Sequence, residues 1–216
     1  MASSRLGQRP FRIALICLLV VAVAVLIGVI AVLVPILTHQ SAGGSGQTLP
    51  ESAVSETRAE GADGRVRELR VKTAAGDLAE LDALRPGEEL VVRGSGFDAA
   101  IGIYVAICAI PASPEEKPGP CLGGIPEGAE EGEASGYQAL ASVWITDDWA
   151  WRAFATHGYD DASSGVFTAR LRVPEAATDG LDCRETACAI ATRADHTATS
   201  DRVQDMLLPV EYAPAD

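Results

Sequence analysis

Five positions separate Cys183 from Cys188 in the stretch GLDCRETACAIATRAD, and the second cysteine runs straight into an apolar strand. A tight cysteine loop that opens a strand staples one edge of a small all-β domain. The remaining cysteines fit that picture. Cys108 and Cys121 lie upstream in the same polar part of the chain, and Cys17 stands apart in an apolar run. An even set downstream of a membrane segment reads as two disulfides in an oxidising compartment. Four cysteines allow three connectivities. Sequence proximity favours Cys108–Cys121 and Cys183–Cys188. A zinc site at Cys183 and Cys188 would need a second ligand pair, which the sequence lacks.

The second constraint is the uncharged run IALICLLVVAVAVLIGVIAVLVPIL over residues 13–37. As a helix it would span about 37 Å, enough to cross a hydrocarbon core of about 30 Å with some tilt. Secretory signals have a shorter apolar core of about 7–15 residues and a small-residue cleavage site, so an uncleaved anchor is expected. Arg5, Arg9 and Arg12 precede the run. They place residues 1–12 in the cytoplasm and the rest outside, as a single-pass protein of the cell membrane. Residues 38–64 contain GGSGQ and ESAVSETRAEGADG and read as a flexible extracytoplasmic linker with an end-to-end distance of roughly 30 Å.

The formal net charge is −13. Without the three N-terminal arginines, 14 of the 17 basic residues face 30 acidic ones. Such a surface repels phosphate backbones and argues against a nucleic-acid partner. Asn is absent and Lys occurs only at positions 72 and 117, a bias typical of high-GC bacterial coding.

From residue 65 the period changes to two. RELRVKT alternates around Leu69 and Val71, and RPGEELVVRG places a strand after the turn at Pro86 and Gly87. AIGIYVAICAI is apolar on both faces and belongs in the middle of a sandwich. Residues 111–135, rich in Pro, Gly and the acids Glu127, Glu130, Glu131 and Glu133, read as a long loop. QALASVWI, GVFTARLRV, ACAIATR and MLLPVEY complete the set. Seven short strands over residues 65–213 predict an antiparallel immunoglobulin-like sandwich.

Two stretches resemble the neocarzinostatin-like proteins of actinobacteria. LRPGEELVVRGSGFDAAIGIYVAIC matches that family's opening hairpin at Gly94, Gly96, Phe97 and Cys108. LDCRETACAIATRAD matches its cysteine loop at Asp182, Cys183, Ala187 and Cys188. The resemblance covers residues 82–212 and implies a seven-stranded sandwich with local disulfides Cys108–Cys121 and Cys183–Cys188. It also implies a carrier of an apolar chromophore. The longer first cysteine loop, residues 144–161 and the anchor depart from the family, so no ligand-contacting residue is carried over. The C-terminal stretch resembles modules that accompany haem-uptake domains on actinobacterial surfaces.

Trp144, Trp149, Trp151 and Phe154 crowd into VWITDDWAWRAF. Trp149 and Trp151 would share one face of a strand, a candidate wall for a flat apolar ligand; the alternative is ordinary core packing. His157 and His196 are candidate haem or metal ligands, and His157 lies between the acid pairs Asp147/Asp148 and Asp160/Asp161, but no metal-ligand spacing recurs, and no metal or cofactor is called for. The chain has no Gly-x-Ser-x-Gly elbow or phosphate loop, and Ser200, Asp201 and His196 are sequence neighbours that do not make a triad. The expectation is a non-enzymatic, membrane-tethered binding or structural module whose partner is an apolar small molecule, such as a chromophore or haem, or a cell-envelope component.

Overall fold

The computed structural model describes residues 8–123, 140–178 and 180–214. The chain forms two compact units, Met1–His39 and Gln40–Asp216. The first is helix α1, Gln8–Thr38, of 31 residues and about 46 Å at ~1.5 Å per residue. Its apolar side chains are exposed on every side, from Phe11 to Leu37. A helix apolar all round suits hydrocarbon rather than a water-facing surface. Among the described residues it is long and apolar enough to cross a membrane. It starts before and ends one residue after the expected run, and Thr38 Oγ1 donates to the Val34 carbonyl at 2.7 Å in its last turn.

Among its described residues the second unit contains ten strands. In chain order they are β1 (Glu56–Glu60), β2 (Val66–Thr73), β3 (Glu89–Ser95), β4 (Ile103–Ala109) and β5 (Ser142–Ile145). There follow β6 (Phe167–Arg172), β7 (Ala177–Thr178), β8 (Leu181–Asp182), β9 (Cys188–Ala194) and β10 (Met206–Val210). One four-stranded sheet runs β1-β2-β3-β6, a second runs β10-β9-β4-β5, and β7 pairs with β8 in a small ribbon. All pairings are antiparallel.

The seven expected strands are all present as β2 to β6, β9 and β10, and the count of seven is corrected to ten by three additions. Two are the short ribbon strands, too brief to show a period. The third, β1, lies in the stretch read as a linker. That boundary is therefore also corrected: Glu56–Glu60 pairs with β2 from Glu56↔Arg70 to Glu60↔Val66. Further back, Gln47 caps the edge of β10, donating to the Leu207 carbonyl at 2.6 Å and accepting from its N–H at 2.8 Å. Short polar segments with few apolar residues fold here because the sheet edge supplies their backbone partners. Of the loop at 111–135, residues 124–135 with Glu127, Glu130, Glu131 and Glu133 lie outside the described residues, as does the start of QALASVWI.

The core lies between the two sheets. Leu69, Val92, Phe167 and Leu171 point in from one, Ile103, Ile107, Ile145, Ile190 and Met206 from the other, all fully buried. Phe97 and Phe167 meet edge to face at 5.0 Å, and each contributes about 2–3 kcal/mol of burial. Two glycines make room for them. A Cβ at Gly94 would collide with the Phe167 ring, and Gly96 has φ +77° with the Val66 carbonyl where a side chain would go. Arg67 is fully buried against Phe97. Asp63 at 2.6 Å and Gln204 at 2.9 Å satisfy its guanidinium, and that hydrogen bond in turn holds the Asp63 carboxyl below its usual range.

Candidate functional site

The outer face of the β10-β9-β4-β5 sheet is built by the residues between its core-facing ones. The register pairs Tyr104 with Arg193, Ala106 with Ala191 and Cys108 with Ala189 across β4 and β9. On the next strands stand Trp144 opposite Tyr104, and Leu207 opposite Ala191. Ala106, Cys108 and Ala191 form a second, smaller apolar cluster with Cys121 and Leu207, separate from the main core. The double-sided apolar reading of this strand is thus accounted for by two layers, one within the sandwich and one outside it.

The segment after β4 forms a strap over this outer layer. Cys108 bonds to Cys121, and Leu122 N–H donates to the Ile107 carbonyl at 2.8 Å, which fixes the strap's base. Arg193 Nη1 donates to the Pro118 carbonyl at 2.9 Å, which ties the strap across to β9. The second disulfide joins Cys183 to Cys188 at the start of β9, and Ile110 N–H donates to the Ala187 carbonyl within that loop. Both proximate pairings are present. Asp182 in the same loop accepts two bonds from the Arg184 side chain, and these pull its carboxyl down to about 2.

Beside the strap lies a shelf of rings. Trp144 stands 5.7 Å from Tyr104 and 5.1 Å from His196, and Trp151 meets His196 edge on at 4.6 Å. Tyr104 Oη and His196 Nδ1 are 3.2 Å apart. The Trp144 indole is locked in orientation because Nε1 donates to buried Asp195 Oδ2 at 2.9 Å. Gly102 permits this: a Cβ there would collide with the same carboxylate oxygen. Burial, then the nearby Asp195 charge, push the Tyr104 phenol up, so it stays protonated. Tyr104, Trp144 and Trp151 are half-buried and His196 is exposed, while the main core closes without them.

The four aromatics grouped from the sequence are not all brought into one ring cluster. Trp144 and Trp151 join the shelf through His196, whereas Trp149 and Phe154 are each 73% exposed. The expected strand face for Trp149 and Trp151 is corrected: residues 149–155 turn helically instead. Asp148 starts that turn, its Oδ1 accepting from Ala150 N–H at 2.8 Å and its carbonyl from Arg152 N–H at 2.8 Å. Sequence reasoning misses Tyr104 and Arg193, and it singles out His196 only as a haem or metal ligand or a sequence neighbour of Ser200 and Asp201. The cross-strand pairing of Tyr104 with Trp144 is the signal that would have found the first of them.

His157 and the acid pairs build loops. His157 Nδ1 lies 2.8 Å from the Gly158 carbonyl, and Asp147 accepts Tyr159 N–H at 3.1 Å. Asp160 accepts Thr168 Oγ1 at 2.7 Å. Ser163 and Ser164 donate to Asp161 and pull it down to about 2. Asp147, His157 and Asp160 line a groove of about 600 Å³ that also meets Arg152 and Arg170. Among the described residues no three metal-ligating side chains converge.

No known protein-family model matches the chain. The thiamine biosynthesis protein X of Corynebacterium glutamicum is 30% identical over 133 residues, which are 62% of this chain and 60% of that protein. The chain thus spans about 60% of the length of the curated relative it matches. Among solved structures, macromomycin aligns at a TM-score of 0.35 and 14% identity, over 67% of this chain and 99% of macromomycin.

Proposed function

We propose that this chain is a membrane-tethered, extracytoplasmic, non-enzymatic binding module of the neocarzinostatin-like kind. Its ligand is a flat aromatic small molecule that lies on the outer face of the β10-β9-β4-β5 sheet. One observation carries the reading: the Tyr104–Trp144–His196–Trp151 shelf is a second ring cluster, outside a sandwich core that is already complete. Aromatic side chains with a few fixed polar groups are what a small-molecule site needs. The membrane helix, the arginines ahead of it and the two disulfides support an outside address.

Titration of the full chain in nanodiscs, with empty nanodiscs as the blank, tests this. Haem, 1-naphthol and thiamine are the probes. Thiamine is included because the relative's name concerns its biosynthesis. At least one should quench Trp fluorescence saturably at micromolar concentration, and Trp144→Ala should abolish that quenching. Absence of saturable quenching by all three contradicts the reading. In intact spheroplasts, external protease should digest the β domain; its protection there would contradict the topology.

The exposed Trp149 and Phe154 favour a second reading, contact between this loop and a cell-envelope partner. Retention of the chain by purified envelope, lost on changing both to Ser but kept in Trp144→Ala, would establish it.

A further inference from the structure

Charge gathers beside the ring shelf. Lys117, one of two lysines in the chain, stands on the strap, half-buried. Its ammonium is pushed down by burial first and then by the Arg193 and Arg202 guanidinium groups. Among the described residues it has no hydrogen bond or ion pair with another side chain. Arg193 projects from the outer face of β9, with its guanidinium 5.9 Å from the Tyr104 ring centre. It spends one nitrogen on the Pro118 carbonyl, and its Nε is buried without a partner.

The facing acid does not resolve this. Extending the β9–β10 register by one residue beyond Thr192↔Met206 sets Asp205 opposite Arg193. Asp205 Oδ2 accepts from Arg202 Nη1 at 2.7 Å, and its Oδ1 is buried without a partner. Arg202 is further held by the Thr199 carbonyl. Asp205, already engaged by Arg202, thus faces three cations, and Asp195, the other acid acting on Lys117, accepts from Trp144 Nε1 and Thr197. At Lys117 the Arg193 and Arg202 guanidinium groups act more strongly than either acid. Cations held together under partial burial repel one another, and an anion placed between them offsets that repulsion.

We propose that Lys117 and Arg193 form a subsite for the anionic head group of an aromatic ligand, a carboxylate, sulfonate or phosphate, whose ring lies against Tyr104 and Trp144. This rests on the carrier reading and names the ligand class. Lys117 supplies a point charge from the strap, and Arg193 supplies donors from the sheet. Arg193 Nε is covered and Pro118 is held on the same guanidinium, so the head group enters as the strap lifts from β9. The Cys108–Cys121 bridge keeps the strap's base in place meanwhile.

The test compares 1-naphthyl phosphate, 1-naphthol and inorganic phosphate by calorimetry on the full chain in nanodiscs, with empty nanodiscs as the blank. The phosphate ester should bind at least about tenfold more tightly than either fragment. Lys117→Ala should reduce it to the 1-naphthol level, and Lys117→Arg should restore most of the difference. Arg193→Lys gives an independent variant and should weaken the ester while sparing 1-naphthol. Equal binding of ester and 1-naphthol, or an unchanged Lys117→Ala, overturns the head-group subsite and leaves the carrier standing. Inorganic phosphate as tight as the ester also overturns it, since the ring would then add nothing. If neither naphthyl probe binds while haem or thiamine quenches Trp fluorescence, the subsite is overturned and the carrier stands; if none of the probes binds, both fall.

Discussion

The two sheets share one core and differ on their outer faces. The β1-β2-β3-β6 sheet turns charge to water. Glu68, Arg70, Lys72, Arg170 and Arg172 are exposed, and Arg70 pairs with Glu56 across β1 and β2 at 2.7 Å. Such surface pairs contribute little, about 0.2–1 kcal/mol. The β10-β9-β4-β5 sheet covers its outer face instead. Ala106, Cys108, Ala189 and Ala191 are buried there beneath the disulfide-closed strap, with the ring shelf beside them. A solvated face needs only alternation to be stable. A covered outer face needs its own cluster, its own crosslink and a satisfied polar lining, and it is where a ligand can replace part of the cover.

That contrast can be broken by adding a charge to the covered face and removing one from the solvated face. Ala191→Asp buries a carboxylate among Ala106, Cys121 and Leu207 and is expected to cost on the order of 5 kcal/mol or to prevent folding. Arg172→Ala on the other sheet should change stability by no more than about 0.5 kcal/mol. Equal effects in denaturant unfolding would remove the distinction.

The covered face should also carry the pH dependence. Burial pushes Asp205 up to about 7, against the opposing pull of Arg202 and Lys117 and with Asp201 adding to the rise. A carboxyl whose folded pKa lies above its unfolded value holds its proton longer in the native state. Stability is therefore highest at low pH with respect to this group, falls as pH rises from about 4 to about 7, and is flat above that. The linkage amounts to at most about 4 kcal/mol. Asp205→Asn should remove the slope between pH 5 and 7 in thermal unfolding; an unchanged slope would assign it elsewhere.

The two crosslinks sharpen the comparison further. On the chain-entropy model, Cys108→Ser with Cys121→Ser should cost about 3 kcal/mol, and Cys183→Ser with Cys188→Ser about 2 kcal/mol. The first pair closes a 13-residue separation on the covered face and the second only 5. Only the first should also raise protease sensitivity of the strap near Lys117. On the covered face the smallest effect is expected for Trp144→Phe. It removes the donor to Asp195 and should cost about 1–2 kcal/mol while lowering affinity for aromatic probes.

Much of this asymmetry is legible in the sequence, and the exceptions have physical causes. The alternation in GVFTARLRV marks β6 and its solvated outer face, and the unbroken apolar run in AIGIYVAICAI marks β4 as covered on both sides. Short sequence separation pointed to both disulfides because each closes a local loop. β1 escaped notice because ETRAE buries only Ala59, and an edge strand of that length draws its stability from backbone pairing with β2. The Trp149–Ala150–Trp151 alternation imitates a strand, but the capping Asp148 overrides it and rotates the two indoles apart in exposure. Tyr104 lies on β4 whereas Arg193 and His196 lie on β9 and just past its end, so their meeting depends on β4–β9 register rather than on spacing along the chain.

Hydroxyl-radical footprinting of the full chain, with and without saturating 1-naphthyl phosphate, tests the central claim that the covered sheet face is the binding face. Tyr104, Trp144 and Trp151 should gain protection, while the exposed Trp149 and Phe154 keep their labelling. Protection confined to the outer face of the β1-β2-β3-β6 sheet, or labelling unchanged throughout, would contradict it.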